Sequence, residues 1–257
     1  MLWVLSGSLK ESRAIFREPL SLPDPSNPAW DNYLRAWSEG GFGAHFLNSV
    51  LLTAGATLIV TLLGAMAAHA LARFGHRASG PVFWLFLVGL VLPAQAAAVP
   101  LFFLMRDMGL LGTRTGLLLV YCANGLPFAI FVLAPFFRQL PRSLEEAAVI
   151  DGCGPWAVFW RVMLPLTKPG LATVAVFQAL GIWKEYFLAF MLLTGVGPEA
   201  PKTLPLALGN LAITATYRSD PGMLFAGIVI TSLPILLTYL VLQRQIVSGL
   251  TQGAVKG

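Results

Sequence analysis

Long apolar runs alternate with short polar segments along this chain, and their length dictates what they can be. Five runs, near residues 46–72, 82–105, 116–137, 170–194 and 223–242, reach the roughly 20 helical residues that cross a hydrocarbon core about 30 Å thick. Lipid offers no partners to backbone N–H and C=O groups, so such runs must satisfy themselves as helices. The period-2 alternation of a barrel strand is absent. Pro93, Pro100, Pro127, Pro135 and Pro234 fall inside the runs. They predict kinks rather than ends, because neighbouring helices and waters can satisfy the carbonyls that proline frees. The pattern predicts an all-α, polytopic transmembrane helical bundle. Residues 1–45 precede it, a membrane domain covers 46–242 with a polar loop at 138–169, and a tail follows at 243–257.

Composition strengthens this picture. The chain is 56% hydrophobic and 11% charged, with a mean hydropathy of +0.73, far too apolar for an ordinary soluble domain. The net charge of +5 does not point to nucleic acid, because the basic residues are scattered and form no stripe with interleaved aromatics. Their placement instead orients the bundle. Arg73, Arg77, Arg138, Arg142, Arg161, Lys168, Arg244 and Lys256 lie on one side, against Arg106, Arg114, Lys202 and Arg218 on the other. The richer side, which carries the 138–169 loop and the tail, is predicted to be cytoplasmic. Cys122 and Cys153 form neither a metal spacing nor a plausible extracellular disulfide.

The polar loop is the most specific part of the chain. Ser143 is placed to cap a helix, with Glu146 as its capping-box partner. Glu145 to Ile150 favours helix, and Gly152 can stop it in a left-handed turn. Gly154-Pro155 restarts a second helix, which Pro165 is expected to end. Trp156, Phe159 and Trp160 are candidate interfacial anchors. The residues Glu146-Ala147-Ala148, then Gly152, Val162 and Leu164-Pro165, stand at the spacing of the coupling loop of ABC-importer permeases. Val162 for isoleucine is the one departure. Other stretches resemble the carbohydrate, maltose-type branch of that family: Ser8-Leu9-Lys10, Asn32-Tyr33, Asn48-Ser49, Met108 to Thr113, Leu126-Pro127-Phe128 and the closing Gly249 to Gly257.

This resemblance implies a type I importer permease that pairs with a second homologous permease, two ATP-binding subunits and an extracytoplasmic solute-binding protein. It assigns Glu146, Ala147, Ala148, Asp151, Gly152, Leu164 and Pro165 to coupling with the ATPase subunit, and implies a sugar or related polyol as cargo. No cofactor is implied for this chain, ATP–Mg being carried by the partners. In agreement, no lysine follows a glycine, so there is no G-K-S/T phosphate loop, and no hydrolase or metal motif occurs. These permeases usually have six spans. Met1 to Leu5, followed by Ser8-Leu9-Lys10, resembles the tail of a first one, leaving five complete spans visible.

Within the spans, polar residues mark candidates for the translocation path: Asn124, Gln178, Lys184, Glu185 and Tyr186. A charge at mid-span costs about 2.5–3.5 kcal/mol on insertion scales and needs a reason. On an unbroken helix Glu185 shares a small, polar face with Gln178, Gly181 and Ala189, and is expected to face the passage. Lys184, standing where the family usually has asparagine, falls among bulky apolar residues. A structural ion pair is the competing role for the two. Asn124 has two open roles, satisfying backbone freed by Pro127 or facing the passage. Thr53, Thr57, Thr61, Gly64 and Ala68 form a small-residue stripe suited to helix contact. A secondary transporter coupled through Lys184 and Glu185 is the alternative class. It would be expected to repeat such a feature in two halves, and no second copy exists.

Overall fold

In a computed structural model, residues 1–75, 77–194, 201–218 and 220–254 are described. His76, the 195–200 link and the tail residues 255–257, with Lys256, lie outside the described residues. The regular elements among the described residues are all helices, without a strand. Three short helices, α1 (Leu2–Ser8), α2 (Ser12–Arg17) and α3 (Asp31–Ser38), precede the long α4 (Phe42–Arg73). Gly41, at a φ of 67°, turns the chain into α4, and Gly75, at 59°, follows its end. Its 32 residues span roughly 48 Å at 1.5 Å per residue.

The second predicted run is two helices, α5 (Ser79–Val91) and α6 (Ala98–Asp107). Leu92 is extended, at φ −70° and ψ 119°, as a residue before proline prefers, and Pro93 breaks the run instead of kinking it. By contrast, α7 (Arg114–Gln139) continues through Pro127 and Pro135. The 170–194 run is likewise two helices, α11 (Lys168–Trp183) and α12 (Phe187–Leu193). The region 195–222, read from sequence as a plain link, contains α13 (Leu204–Arg218). Asn210, Thr214 and Arg218 dilute its hydropathy, yet Leu204, Leu206, Ala207 and Leu211 are buried. Finally α14 (Pro221–Ala254) continues past the expected span end at 242. By length and composition alone, α4, α7 and the Pro221–Thr238 part of α14 can each cross a membrane.

The chain divides into two compact units. One comprises Met1–Leu52, Phe102–Leu117 and Trp183–Leu240. Its core gathers Ala36, Phe42, Trp183, Leu204, Ala207, Leu211, Met223 and Ala226. Trp183 donates its indole N–H to the Thr231 carbonyl (3.0 Å) and packs edge-on against Phe46 at 5.6 Å. The other unit comprises Thr53–Leu101, Leu118–Ile182 and Val241–Gly257. Here the small stripe does what small residues allow: Gly64 lies directly against Ala129 of α7, and Ala56, Ala65 and Ala68 are fully buried. Such close backbone approach gains dispersion contacts where lipid supplies no hydrophobic drive.

Candidate functional site: a moored polar segment and a broken helix

The polar loop folds as α8 (Ser143–Ile150), a tight turn, α9 (Pro155–Val158), a π turn over Phe159–Met163 and α10 (Leu164–Leu166). Backbone bonds close the end of α8: Cys153 N–H to the Ala148 carbonyl (2.9 Å) and Gly152 N–H to that of Val149 (3.0 Å). Those two bonds form a Schellman motif, which needs a left-handed residue at its turn. Gly152 supplies it, with φ at 84°. Pro155 opens α9, as expected. Two local expectations fail. Ser143 makes no capping bond, because Arg142 is already helical (φ −62°, ψ −30°) and puts Ser143 inside the helix. Nor does Pro165 end the second helix. It sits in the first turn of α10, where proline is tolerated. The stop comes at Thr167, whose hydroxyl donates to the Leu164 carbonyl (2.9 Å). There the chain bends by 77° into α11.

Glu146, Ala147, Asp151, Gly152 and Pro165 are exposed, Leu164 is half-buried, and Ala148 is buried. Beside them Ile150, Trp156 and Val149 are also exposed, at 85%, 65% and 60%. Apolar side chains thus gather on the open side of a polar loop. The other face of α8 is held down by a residue that sequence reasoning had used only as a topological marker. Arg73 donates its Nε–H to Glu145 Oε1 (2.8 Å) and its two Nη groups to the carbonyls of Leu140 (2.9 Å) and Pro141 (3.4 Å). Its side chain is 6% exposed. Behind it His69 Nε2 lies 3.4 Å from the same carboxylate oxygen, its ring packed among Phe74, Phe137 and Phe159. An apolar hollow of about 360 Å³ opens beside it, lined by Met66, Phe74, Trp156 and Phe159.

The structure separates the polar residues that periodicity had placed on shared faces. The helix stops at Trp183 and resumes at Phe187, so Glu185 shares no continuous face with Gln178 and Gly181, nor Lys184 with Phe177 and Leu180. Glu185 instead accepts the N–H groups of Leu188 (2.7 Å) and Ala189 (3.0 Å). It caps α12, where a carboxylate satisfies orphan donors and faces the positive end of the helix dipole. Lys184 and Tyr186 are exposed, and Tyr186 stacks on Phe190 with ring centroids 5.7 Å apart. Gly209 of α13 comes up against that Tyr186 ring. Gln178 is buried and donates to the Gly125 carbonyl (2.9 Å) of α7, while Asn124 is exposed.

The Ser8-Leu9-Lys10, Asn32-Tyr33 and Asn48-Ser49 stretches make structural contacts. Asn32 donates to the carbonyls of Ser8 and Lys10, both at 2.9 Å, and Ser8 shares a 2.7 Å hydrogen bond with Tyr33. Asn48 reaches the Lys202 carbonyl (3.2 Å), and Ser49 accepts the Leu204 N–H that opens α13 (2.8 Å). Asp220 pairs with Arg35 and accepts from Ser12 (2.6 Å). Burial works against its charged form, but the Ser12 and Arg35 hydrogen bonds outweigh it and hold the carboxyl below its ordinary range.

Long apolar helices with a folded polar element between two of them fit a polytopic membrane protein. The chain belongs to the family described as binding-protein-dependent transport system inner membrane component, whose sequence pattern matches residues 60–251. It is therefore an inner-membrane permease component. It is 44% identical to the diacetylchitobiose uptake system permease protein NgcG of Streptomyces coelicolor, over 98% of this chain and 82% of that protein. It is 35% identical to the trehalose transport system permease protein SugB of Mycobacterium tuberculosis, over 100% and 92%. Its fold is similar to a bacterial ABC transporter involved in the import of the acidic polysaccharide alginate, with a TM-score of 0.80 at 25% identity, covering 94% of this chain and 88% of that one.

Proposed function

We propose that this chain forms part of the translocation path for a sugar or related polyol, delivered by an extracytoplasmic solute-binding protein and driven by two ATP-binding subunits, alongside a second homologous permease. The relatives named for diacetylchitobiose and trehalose are alike to it over nearly its full length, and this carries the substrate class. Permeases for polyamines or glycerol phosphate, and a secondary transporter, are the readings set aside. ATP–Mg is held by the partners and no cofactor by this chain. In the membrane, α4, α7 and α14 each form a span, and α5 with α6 and α11 with α12 each make a broken one, giving five. The coupling segment and the carboxy-terminal tail are cytoplasmic, and residues 1–45 contribute an extracytoplasmic segment.

The exposed face of α8 and the turn, with Glu146, Ala147, Asp151 and Gly152, is the seat of an ATP-binding subunit, with the buried Ala148 beneath it and Leu164 and Pro165 closing the element. Lys184 and Tyr186 belong to the passage. Irregular backbone at membrane depth is tolerated only where it is buried or lines a water-filled cavity, and an exposed tyrosine gives a sugar ring both a stacking face and a hydroxyl. Asn124 is the candidate on α7, whereas Glu185 and Gln178 hold backbone. The test is reconstitution of the complete complex with its binding protein in vesicles, against a panel of mono- and disaccharides, polyols and glycerol phosphates. Uptake of a saccharide that requires both ATP and the binding protein is expected. Flux through this chain alone, without ATP, overturns the reading.

A further inference from the structure

We infer that Arg73 is a positioning residue that ties the coupling segment to α4, so that force applied to α8 reaches α4 directly. The inference rests on the reading of α8 as the seat of an ATP-binding subunit. Covalently, the segment continues only into α7 on one side and α11 on the other. Arg73 adds a third attachment, made from the last turn of α4 to both the entry of α8 and its first turn.

The chemistry suits transmission better than mere adhesion. A guanidinium is a rigid planar fork, and here Nε–H and both Nη groups are committed to three acceptors at Glu145, Leu140 and Pro141. Three bonds from one plane resist rotation as well as separation, which a single ammonium contact does not. The side chain is almost fully buried, so the bonds act in a low local dielectric and opening them would strand a charge. Behind the carboxylate stands His69, its ring packed among Phe74, Phe137 and Phe159.

Two measurements on the complete complex test this. In the first, spin labels are placed at Leu63 of α4 and Ser143 of α8, both exposed, with Cys122 and Cys153 replaced. The 63–143 distance is expected to be the same in nucleotide-free and ATP-trapped states; a change beyond about 5 Å, roughly one helical turn, overturns the inference. In the second, uptake per ATP hydrolysed is compared for Arg73→Lys and Glu145→Gln. Lysine keeps the charge but loses the fork, so the ratio should fall about fivefold or more while hydrolysis stays within about twofold. Glutamine keeps an acceptor for Nε–H and should preserve most of the ratio. An unchanged ratio in Arg73→Lys also overturns the inference. If Arg73→Lys does not assemble, the label distance decides alone. If the ATP-binding subunit does not co-purify with the unsubstituted permease, the seat on α8 is wrong and the transmitting role falls with it. Co-purification with an unchanged ratio removes the role of Arg73 only.

Discussion

Replacing Gly152 tests the geometry of the coupling turn with a magnitude taken from the structure. The residue sits at a φ of 84°, where an L side chain costs roughly 1–2 kcal/mol, with β-branched residues at the upper end. Its chain neighbours aside, no atom of the described residues lies within 4 Å of the position a Cβ would take, so no internal clash adds to this. A penalty of about 1.4 kcal/mol corresponds to a tenfold lower population of the Schellman-capped turn relative to competing shapes. Asparagine tolerates the left-handed region and should be nearly silent. The expected order of loss in substrate-stimulated ATP hydrolysis by the complete complex is therefore Gly152→Asn, then Gly152→Ala, then Gly152→Val, with membrane insertion unaffected in all three. Crowding by the ATP-binding subunit would give a different order, sparing alanine and penalising asparagine and valine together. Normal stimulation in Gly152→Val refutes the argument from backbone conformation.

Other expectations concern the broken span and the packing. Glu185→Ala should remove the cap of α12 and lower stability by about 1–2 kcal/mol, read as a reduced Tm in detergent, with Glu185→Gln milder. Lys184→Asn should leave Tm unchanged, and Tyr186→Ala should cut uptake without loss of assembly; the reverse pattern would make Glu185 the passage residue. Gly125→Ala places a Cβ 2.8 Å from Gln178 Oε1 and should displace the Gln178 bond, costing about 1 kcal/mol, whereas adding it to Gln178→Leu should cost little more; additive losses would show that the two do not act through one contact. Asp220 has a depressed folded pKa, so its stabilisation is full above the ordinary carboxylate pKa and is lost as pH falls through the lower folded value. Asp220→Asn should therefore lower Tm at neutral pH and flatten its fall in acid; an unchanged acid profile would refute this.

Some of the molecule was legible from local pattern because local physics decides it. Apolar runs must be helical in lipid, Gly152 and Pro155 act through their own backbones, and the small stripe on α4 announces close approach whatever the partner. Where competing local forces meet, the outcome depended on context. Pro93 ends a helix while Pro127 and Pro135 do not, and hydropathy is blind to the difference. The periodicity argument for Glu185 assumed an unbroken helix, and three residues of irregular backbone removed its premise. Helix α13 was missed because a moderately polar, amphipathic segment of ordinary length gives no membrane-scale signal.

The sequence by itself determined the helical class, the membrane setting and the presence of a folded turn at Gly152, since each follows from composition or from residues a few positions apart. Only the tertiary structure decided what the polar side chains do. It turned Trp183 into a core anchor, Glu185 into a cap, Gln178 into a brace for α7, and Arg73 into the partner of a carboxylate 72 positions away. The physical reason is reach: a side-chain hydrogen bond is satisfied within about 3 Å, and which groups come that close is set by how the helices pack, which no window along the chain contains.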